Sequence, residues 1–306
     1  ARERHGARIH FVPADLRQEG GLAEVLEDAS SVFHLAAQTA VTTSLGRPGE
    51  DFDVNAKGTL NLLEAVRRTG RDVPVIFAGT NKVYGSLEDV AMETEGQRHL
   101  PRDAVLRGHG LAEDRPLDFR TPYGCSKGVA DSYVLDYARS YDLPAAVLRM
   151  SCVYGPRQFG TEDQGWVAHF LIRALEGRAI AIYGDGRQVR DVLHVADAVR
   201  AYLALRDRIG ALKGRAFNLG GGPANAVSLR DVLSEIGRIT GRPVPVTHHG
   251  WRPGDQPWFV ADTRALGAAT GWRPRVPWRE GIGELAGWLS RHRITPPLTQ
   301  PQRRTA

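Results

Sequence analysis

Short apolar runs alternate with amphipathic stretches along the first half of this chain, and that alternation is what most constrains its fold. Arg8 to Val12 reads as a strand ending near Asp15, Leu22 to Asp28 as a helix, and Ser31 to Ala36 as a buried strand. Residues 50–69 carry Phe52, Leu60, Leu63 and Val66 on one stripe, with Gly70 as a stop. Val75 to Ala78 is the next strand, a helix follows from about Pro122 to Tyr141, and Ala145 to Arg149 is a strand again. Continuous rather than alternating apolar runs mean strands buried on both faces. The expected architecture is therefore α/β, a doubly wound parallel sheet covered by helices on both sides. The stretch 86–120 is polar, charged and irregular, too long for a plain connection, and is expected to be a functional flap or insertion.

Beyond residue 155 the elements shorten. Gln164 to Glu176, Val195 to Asp207 and Arg279 to Arg291 read as helices, and Ile180 to Tyr183, Gln188 to His194 and Ala216 to Leu219 as short strands. Ser228 caps a helix running to Thr240, with Asp231 three residues on as a partial capping box. Residues 1–155 are expected to form one domain and 156–295 a smaller C-terminal α/β domain over the strand ends, with a discontinuous boundary; 296–306 reads as a disordered tail.

Composition narrows the function. Of the 306 residues, 42% are apolar and 25% charged, as in an ordinary globular protein. The net charge of +5 is spread along the chain without a compact basic run, which argues against nucleic acid and leaves room for an anionic small substrate. No apolar run is long enough to span a membrane. The two cysteines, Cys125 and Cys152, make no disulfide framework, so a reducing cytoplasm is the expected compartment.

Tyr123 and Lys127 carry the strongest chemical signal. They lie four residues apart in Thr121-Pro-Tyr-Gly-Cys-Ser-Lys127, on one face of the expected helix. A lysine so placed is expected to lower the phenol's pKa and fit it for proton transfer at a hydroxyl. The spacing alone also describes many solvated surface pairs. What strengthens it is Thr80, a hydroxyl at the end of the apolar strand Val75-Ile-Phe-Ala-Gly-Thr80, where open α/β sheets keep their sites. His34 and His194 lie in apolar strands and read as satisfied core histidines, with no metal-ligand cluster beside them. Trp251, Trp258, Trp272, Trp278 and Trp288 read as core and interface residues, with base stacking open to one or two.

Phe33-His-Leu-Ala-Ala, Asn55-Ala-Lys-Gly-Thr59, Thr80 with Tyr84-Gly85, Tyr123 with Lys127, and Gln188 to Asp197 together resemble the extended short-chain dehydrogenase/reductase family of NAD-dependent nucleotide-sugar epimerases and dehydratases. The likeness runs from about Arg8 to Leu289. It implies a Rossmann-like first domain, NAD as cofactor, a nucleotide-diphosphate sugar as substrate, and a homodimer or homotetramer. It implies Thr80, Tyr123 and Lys127 as catalytic residues. Asp15, Leu16, Leu35, Ala36, Ala37, Gln38, Lys127 and Cys152 would line NAD, although Asp15 equally suits a turn and Cys152 plain packing. Asn81, Gln158, Gln188, Arg190, Arg252 and Asp255 would meet the substrate, the arginines at its phosphates. Four segments point to one branch: 80–85, 121–128, 157–166 and 255–262. They imply a CDP-linked hexose or dideoxyhexose epimerised at C2 through a transient keto-sugar, with 4-epimerisation as the alternative. Dehydratases of this family carry an Asp-Glu pair after the hydroxyl residue. Asn81-Lys82 stands there instead and cannot move protons for water elimination.

The family also begins with a strand, a Gly-x-x-Gly-x-x-Gly turn and a helix whose N-terminus meets the NAD pyrophosphate. That turn is not found here, and Gly220-Gly-Gly222 lies too far along the chain to replace it. Roughly 40 residues, one β-α-β unit, are expected before Arg8 in a complete member. Without them the flanking strands should close on each other or leave a gap, and NAD should bind weakly or not at all. A non-catalytic remnant or binding scaffold is the alternative from another functional class.

Overall fold

The computed structural model describes residues 5–18, 21–252 and 254–292. In chain order the first elements are α1 (Ala23–Glu27), β1 (Val32–His34), α2 (Val41–Gly46), α3 (Pro48–Phe52), a π-helical turn (Asp53–Lys57), α4 (Gly58–Arg68) and β2 (Val75–Thr80). The hairpin β3–β4 (Met92–Glu95, Arg98–Pro101), α5 (Ala104–His109), the long helix α6 (Thr121–Ser140), β5 (Ala145–Met150) and β6 (Cys152–Tyr154) follow. Then come α7 (Trp166–Leu175), β7 (Ile180–Tyr183), β8 (Val189–His194), α8 (Val195–Arg206), α9 (Ile209–Leu212) and β9 (Ala216–Leu219). The chain closes with β10 (Ala226–Ser228), α10 (Leu229–Thr240), β11 (Val246–His249), β12 (Trp258–Phe259), α11 (Arg264–Thr270) and α12 (Trp278–Arg291).

Strands β1, β2, β5 and β9 form one parallel sheet in that order. Every residue of β2 is buried, because each face meets its own layer. Val75, Phe77, Ala145 and Val147 pack on Leu63, Val66 and Val134 of α4 and α6. Ile76, Ala146 and Leu148 point the other way, onto Ala201 and Leu205 of α8. Both β9 and α8 come from beyond residue 155, so the chain returns to the first sheet after its first excursion. A second sheet runs β10-β8-β12 with β6 also paired to β8, and β7 pairs with β11. Around it packs a separate core that includes Phe170, Leu171, Ile236 and Leu285.

Three expectations change. Arg8 to Val12 is not a strand: residues 9–15 are irregular, and β1 is the edge of its sheet among the described residues. The gap expected beside Ser31 to Ala36 is left open, and Leu35 is 60% exposed there. A strand exists only with a neighbour to pair with, and no local pattern reports whether that neighbour is in place. Residues 50–69 are not one helix. The π turn shifts the apolar stripe, so Leu63 and Val66 are buried while Phe52 is 51% exposed. The stretch 86–120, read as irregular, contains the hairpin β3–β4 and helix α5 and is anchored to the rest of the chain. His99 N donates to Arg187 O at 2.9 Å, Leu111 pairs with Ala261, and Asp103 caps α5.

The capping pattern at Ser228 forms in full. Asp231 N donates to Ser228 Oγ at 3.0 Å and Ser228 N to Asp231 Oδ2 at 2.8 Å. Ser228→Ala is expected to lower the unfolding free energy by about 1 kcal/mol. A chemical denaturation midpoint equal to the parent's would refute this. The tail from 296 lies outside the described residues.

Candidate active site

A cavity of about 390 Å³ opens at the C-terminal ends of the parallel strands. Thr80, the last residue of β2, and Tyr123 and Lys127, one turn apart at the start of α6, line it together. Pro122 in the first turn suits a helix start, and Tyr123 N donates to Ser44 Oγ at 3.2 Å, which pins that start to α2. Both side chains face inward, Tyr123 at 9% and Lys127 at 4% exposure.

The electrostatics differ from the simple expectation. Burial pushes the Tyr123 phenol up, not down; the Thr80 hydroxyl opposes this by hydrogen bonding, and the Asp51 charge adds to it. Burial also pulls Lys127 down to about 7, against the attraction of Asp131 and Asp51. Lys127 Nζ donates to Ala78 O at 2.7 Å and sits 4.1 Å from the centre of the Phe77 ring. The phenol and ammonium thus share a helix face while the ammonium is held by the strand beneath.

A buried ion pair braces α6 from below. Arg149 of β5 makes two bonds to Asp131, at 2.9 and 3.0 Å, and a third to the Tyr84 hydroxyl at 3.1 Å. Tyr84 passes the network on to Asn218 of β9 at 2.8 Å. On the other flank Asp51 is buried and accepts from Gln38 Nε2 at 2.7 Å, Asn55 Nδ2 at 3.3 Å and Ser126 Oγ at 2.5 Å. This ties the segment after β1 to α6.

Of the other residues singled out by sequence, Leu35, Ala37, Asn81, Cys152, Gln158, Arg252 and Asp255 also line the cavity. Cys152 Sγ accepts from Trp166 Nε1 at 3.3 Å, and burial raises its thiol pKa. Gln158 Nε2 donates to Val153 O at 3.1 Å, and its buried Oε1 has no protein partner. Arg252 lies 3.8 Å from the Tyr183 ring centre and bonds Glu162 Oε1 at 3.0 Å.

The remainder lie off the cavity. Arg190 is buried, with its guanidinium on Asp255 at 2.7 Å and on Val189 O at 2.8 Å. Gln188 is buried and donates to Tyr183 O at 2.6 Å. Gln38 is spent on the Asp51 network, Ala36 is exposed, and Leu16 O accepts from Asn61 Nδ2 at 2.8 Å. Asp15 forms a local turn: Arg17 N donates to it at 3.0 Å, and the Arg17 guanidinium reaches it at 2.6 Å. That hydrogen bonding lowers the Asp15 carboxyl to about 2. It is the turn role that its position already allowed.

His34 Nε2 pairs with Thr59 Oγ1 at 2.9 Å, and burial drives its pKa to about 3. His194 accepts from Ala196 N at 3.4 Å. Among the described residues no group of three or more His, Cys, Asp or Glu could hold a metal ion. Trp258, Trp272 and Trp278 are core residues, whereas Trp251 is 48% exposed. Lys82 and Ser151 line the cavity without having been singled out as binding residues. The signal for Lys82 was its place two residues after Thr80.

The sequence matches the NAD dependent epimerase/dehydratase family over residues 1–220, and the chain belongs to that family. It is 39% identical over 289 residues to a CDP-paratose 2-epimerase of Salmonella typhi, covering 92% of this chain and 85% of that protein. A putative UDP-glucose 4-epimerase of Methanocaldococcus jannaschii is 30% identical, covering 94% of this chain and 86% of the relative. The UDP-glucose 4-epimerase of Thermus thermophilus, solved with NAD, superposes with a TM-score of 0.78 at 31% identity, over 95% of this chain and 88% of that one. The chain is accordingly an NAD-dependent enzyme of the nucleotide-sugar epimerase class, on a Rossmann-like parallel sheet. No described helix is long and apolar enough to cross a membrane.

The donor set fits one part of that cofactor. Lys127, Tyr123 and the small wall of Ala37, Ala78 and Gly79 suit a ribose and a flat ring at the strand ends. Asp15 and Gln38, expected near the adenosine half, are committed to protein partners.

Proposed function

We propose that this chain epimerises C2 of a CDP-linked hexose or dideoxyhexose through a transient keto-sugar. The observation that carries the reading is the meeting of Thr80, Tyr123 and Lys127 in one cavity whose adjoining turn offers Asn81 and Lys82 but no acid. Tyr123 takes the proton from the reacting hydroxyl and returns it, while Thr80 holds the same oxygen. Lys127 holds the ribose beside the ring and stabilises the phenolate that forms. NAD, when bound, supplies a reversible acceptor for hydride. With no carboxylic acid at 81 or 82, the turn does not deliver protons to neighbouring carbons, which favours plain oxidation and reduction over elimination. The choice of CDP and of C2 draws on the 39% identity to the Salmonella relative. The substrate contacts proposed are Asn81, Gln158, Arg252 and Asp255 at the cavity, with Gln188 and Arg190 behind them.

The test follows an isotope. A CDP-hexose deuterated at C2 should give inverted product that keeps its deuterium, with slowed turnover. The C4-labelled sugar should show no isotope effect. Inversion at C4 with a C4 isotope effect would make the enzyme a 4-epimerase.

A further inference from the structure

Lys82 is a charged cavity residue that the mechanism leaves without a role. It sits two positions after Thr80, and its backbone N–H donates to Thr80 Oγ1 at 3.2 Å, so it is rigidly tied to the reaction centre. Its Nζ donates to Gly254 O at 3.2 Å. Gly254 has φ +70, and a Cβ there would press Thr121 Cγ2 at 3.0 Å, so the loop's backbone comes in close only because the residue is glycine. A carbonyl uses one of three ammonium donors and cancels none of the charge.

Among the described residues no carboxylate bonds it directly. Asp255 attracts Lys82, but its Oδ1 is shared between the Arg190 guanidinium at 2.7 Å and Gln256 N at 3.0 Å. Glu162 and Asp163 face Arg252 instead. Among the described residues Lys82 makes no salt bridge, and Asp255, which lines the cavity beside it, is paired with Arg190 just behind. Burial and the Arg190 charge pull Lys82 down to about 8, with the Asp255 charge opposing them.

We infer that Lys82 binds the phosphate nearest the sugar, and that this contact selects the carbon that reacts. The inference rests on the nucleotide-sugar reading above. A cation on the same turn as Thr80 is useful only if the substrate's anion lies close to the oxygen being oxidised. C2 is bonded to the anomeric carbon that carries the phosphate, whereas C4 is across the ring. A 4-epimerase would hold its phosphates away from this turn and leave Lys82 unmatched. The geometry therefore favours C2.

The experiment compares nucleoside diphosphates with monophosphates by titration calorimetry on the parent, Lys82→Met and Lys82→Arg proteins. CDP and CMP are the primary pair; UDP with UMP and dTDP with dTMP are run alongside. In Lys82→Met, diphosphate affinity should fall about 10- to 100-fold, the loss of one charge-assisted hydrogen bond. Monophosphate affinity should stay within about twofold, which also shows that the variant is folded, and Lys82→Arg should recover part of the loss. Unchanged diphosphate binding overturns the contact, and so does an equal fall for both ligands, which would mean a structural role. The contrast can be read on whichever base binds, so it does not depend on the CDP assignment. Inversion at C4 in the isotope test, with the contrast intact, overturns both the C2 reading and the claim that this contact selects the carbon, and leaves only the Lys82–phosphate contact standing.

Discussion

Tyr123→Phe is expected to lower turnover by about three orders of magnitude while leaving the fold and NAD content unchanged. The phenol oxygen is the only atom lost. The ring stays buried between the end of β2 and α2, so packing is preserved. The neighbouring groups are less well placed as bases: Thr80 is a neutral hydroxyl, and Lys127 and Lys82, although lowered to about 7 and about 8, turn their Nζ onto Ala78 O and Gly254 O. Steady-state kinetics with a nucleotide sugar, together with a melting curve, check the prediction. A Phe variant within tenfold of the parent would remove Tyr123 from the mechanism.

The second large effect is on stability. Asp131 and Arg149 are both almost completely shielded from water and joined by two short bonds. Asp131→Ala leaves a buried guanidinium with only the Tyr84 hydroxyl as partner, and should cost about 3–5 kcal/mol. Replacing both partners, as Asp131→Leu with Arg149→Met, removes the stranded charge and should recover much of the loss, because desolvation of the pair nearly offsets its attraction. Urea denaturation of the two variants decides it. A double variant as unstable as the single one would mean that the Tyr84–Asn218 network, rather than the ion pair, holds α6. Activity should fall along with stability in Asp131→Ala, since the pair braces the helix that carries Tyr123 and Lys127.

Sequence alone determined the features that depend on neighbours along the chain. The strands β2 and β5 were visible from the apolar runs Val75 to Ala78 and Ala145 to Leu148, because both faces of the sheet are covered. The capping box at Ser228 and the Tyr123–Lys127 face of α6 follow from helical spacing, which is local. The family itself followed from several such segments taken together.

What needed the tertiary structure depends on which charges meet and which strand finds a partner. Arg190 looked free for a phosphate until the fold set Asp255 against it, 65 residues further along. Asp15 looked open to a ribose until Arg17 closed on it. Arg8 to Val12 has the composition of a strand but residues 9–15 are irregular, and Phe52 turns to solvent because a π turn shifts the helix face. Lys82 was readable only as a residue unfit for elimination. Its half-buried place in the cavity, its lack of a salt bridge among the described residues and its contact with Gly254, 172 residues away, arise from folding alone. Local pattern reports hydrophobic period and backbone preference. Desolvation and charge pairing are set by residues distant in sequence, and these decide the chemistry of the site.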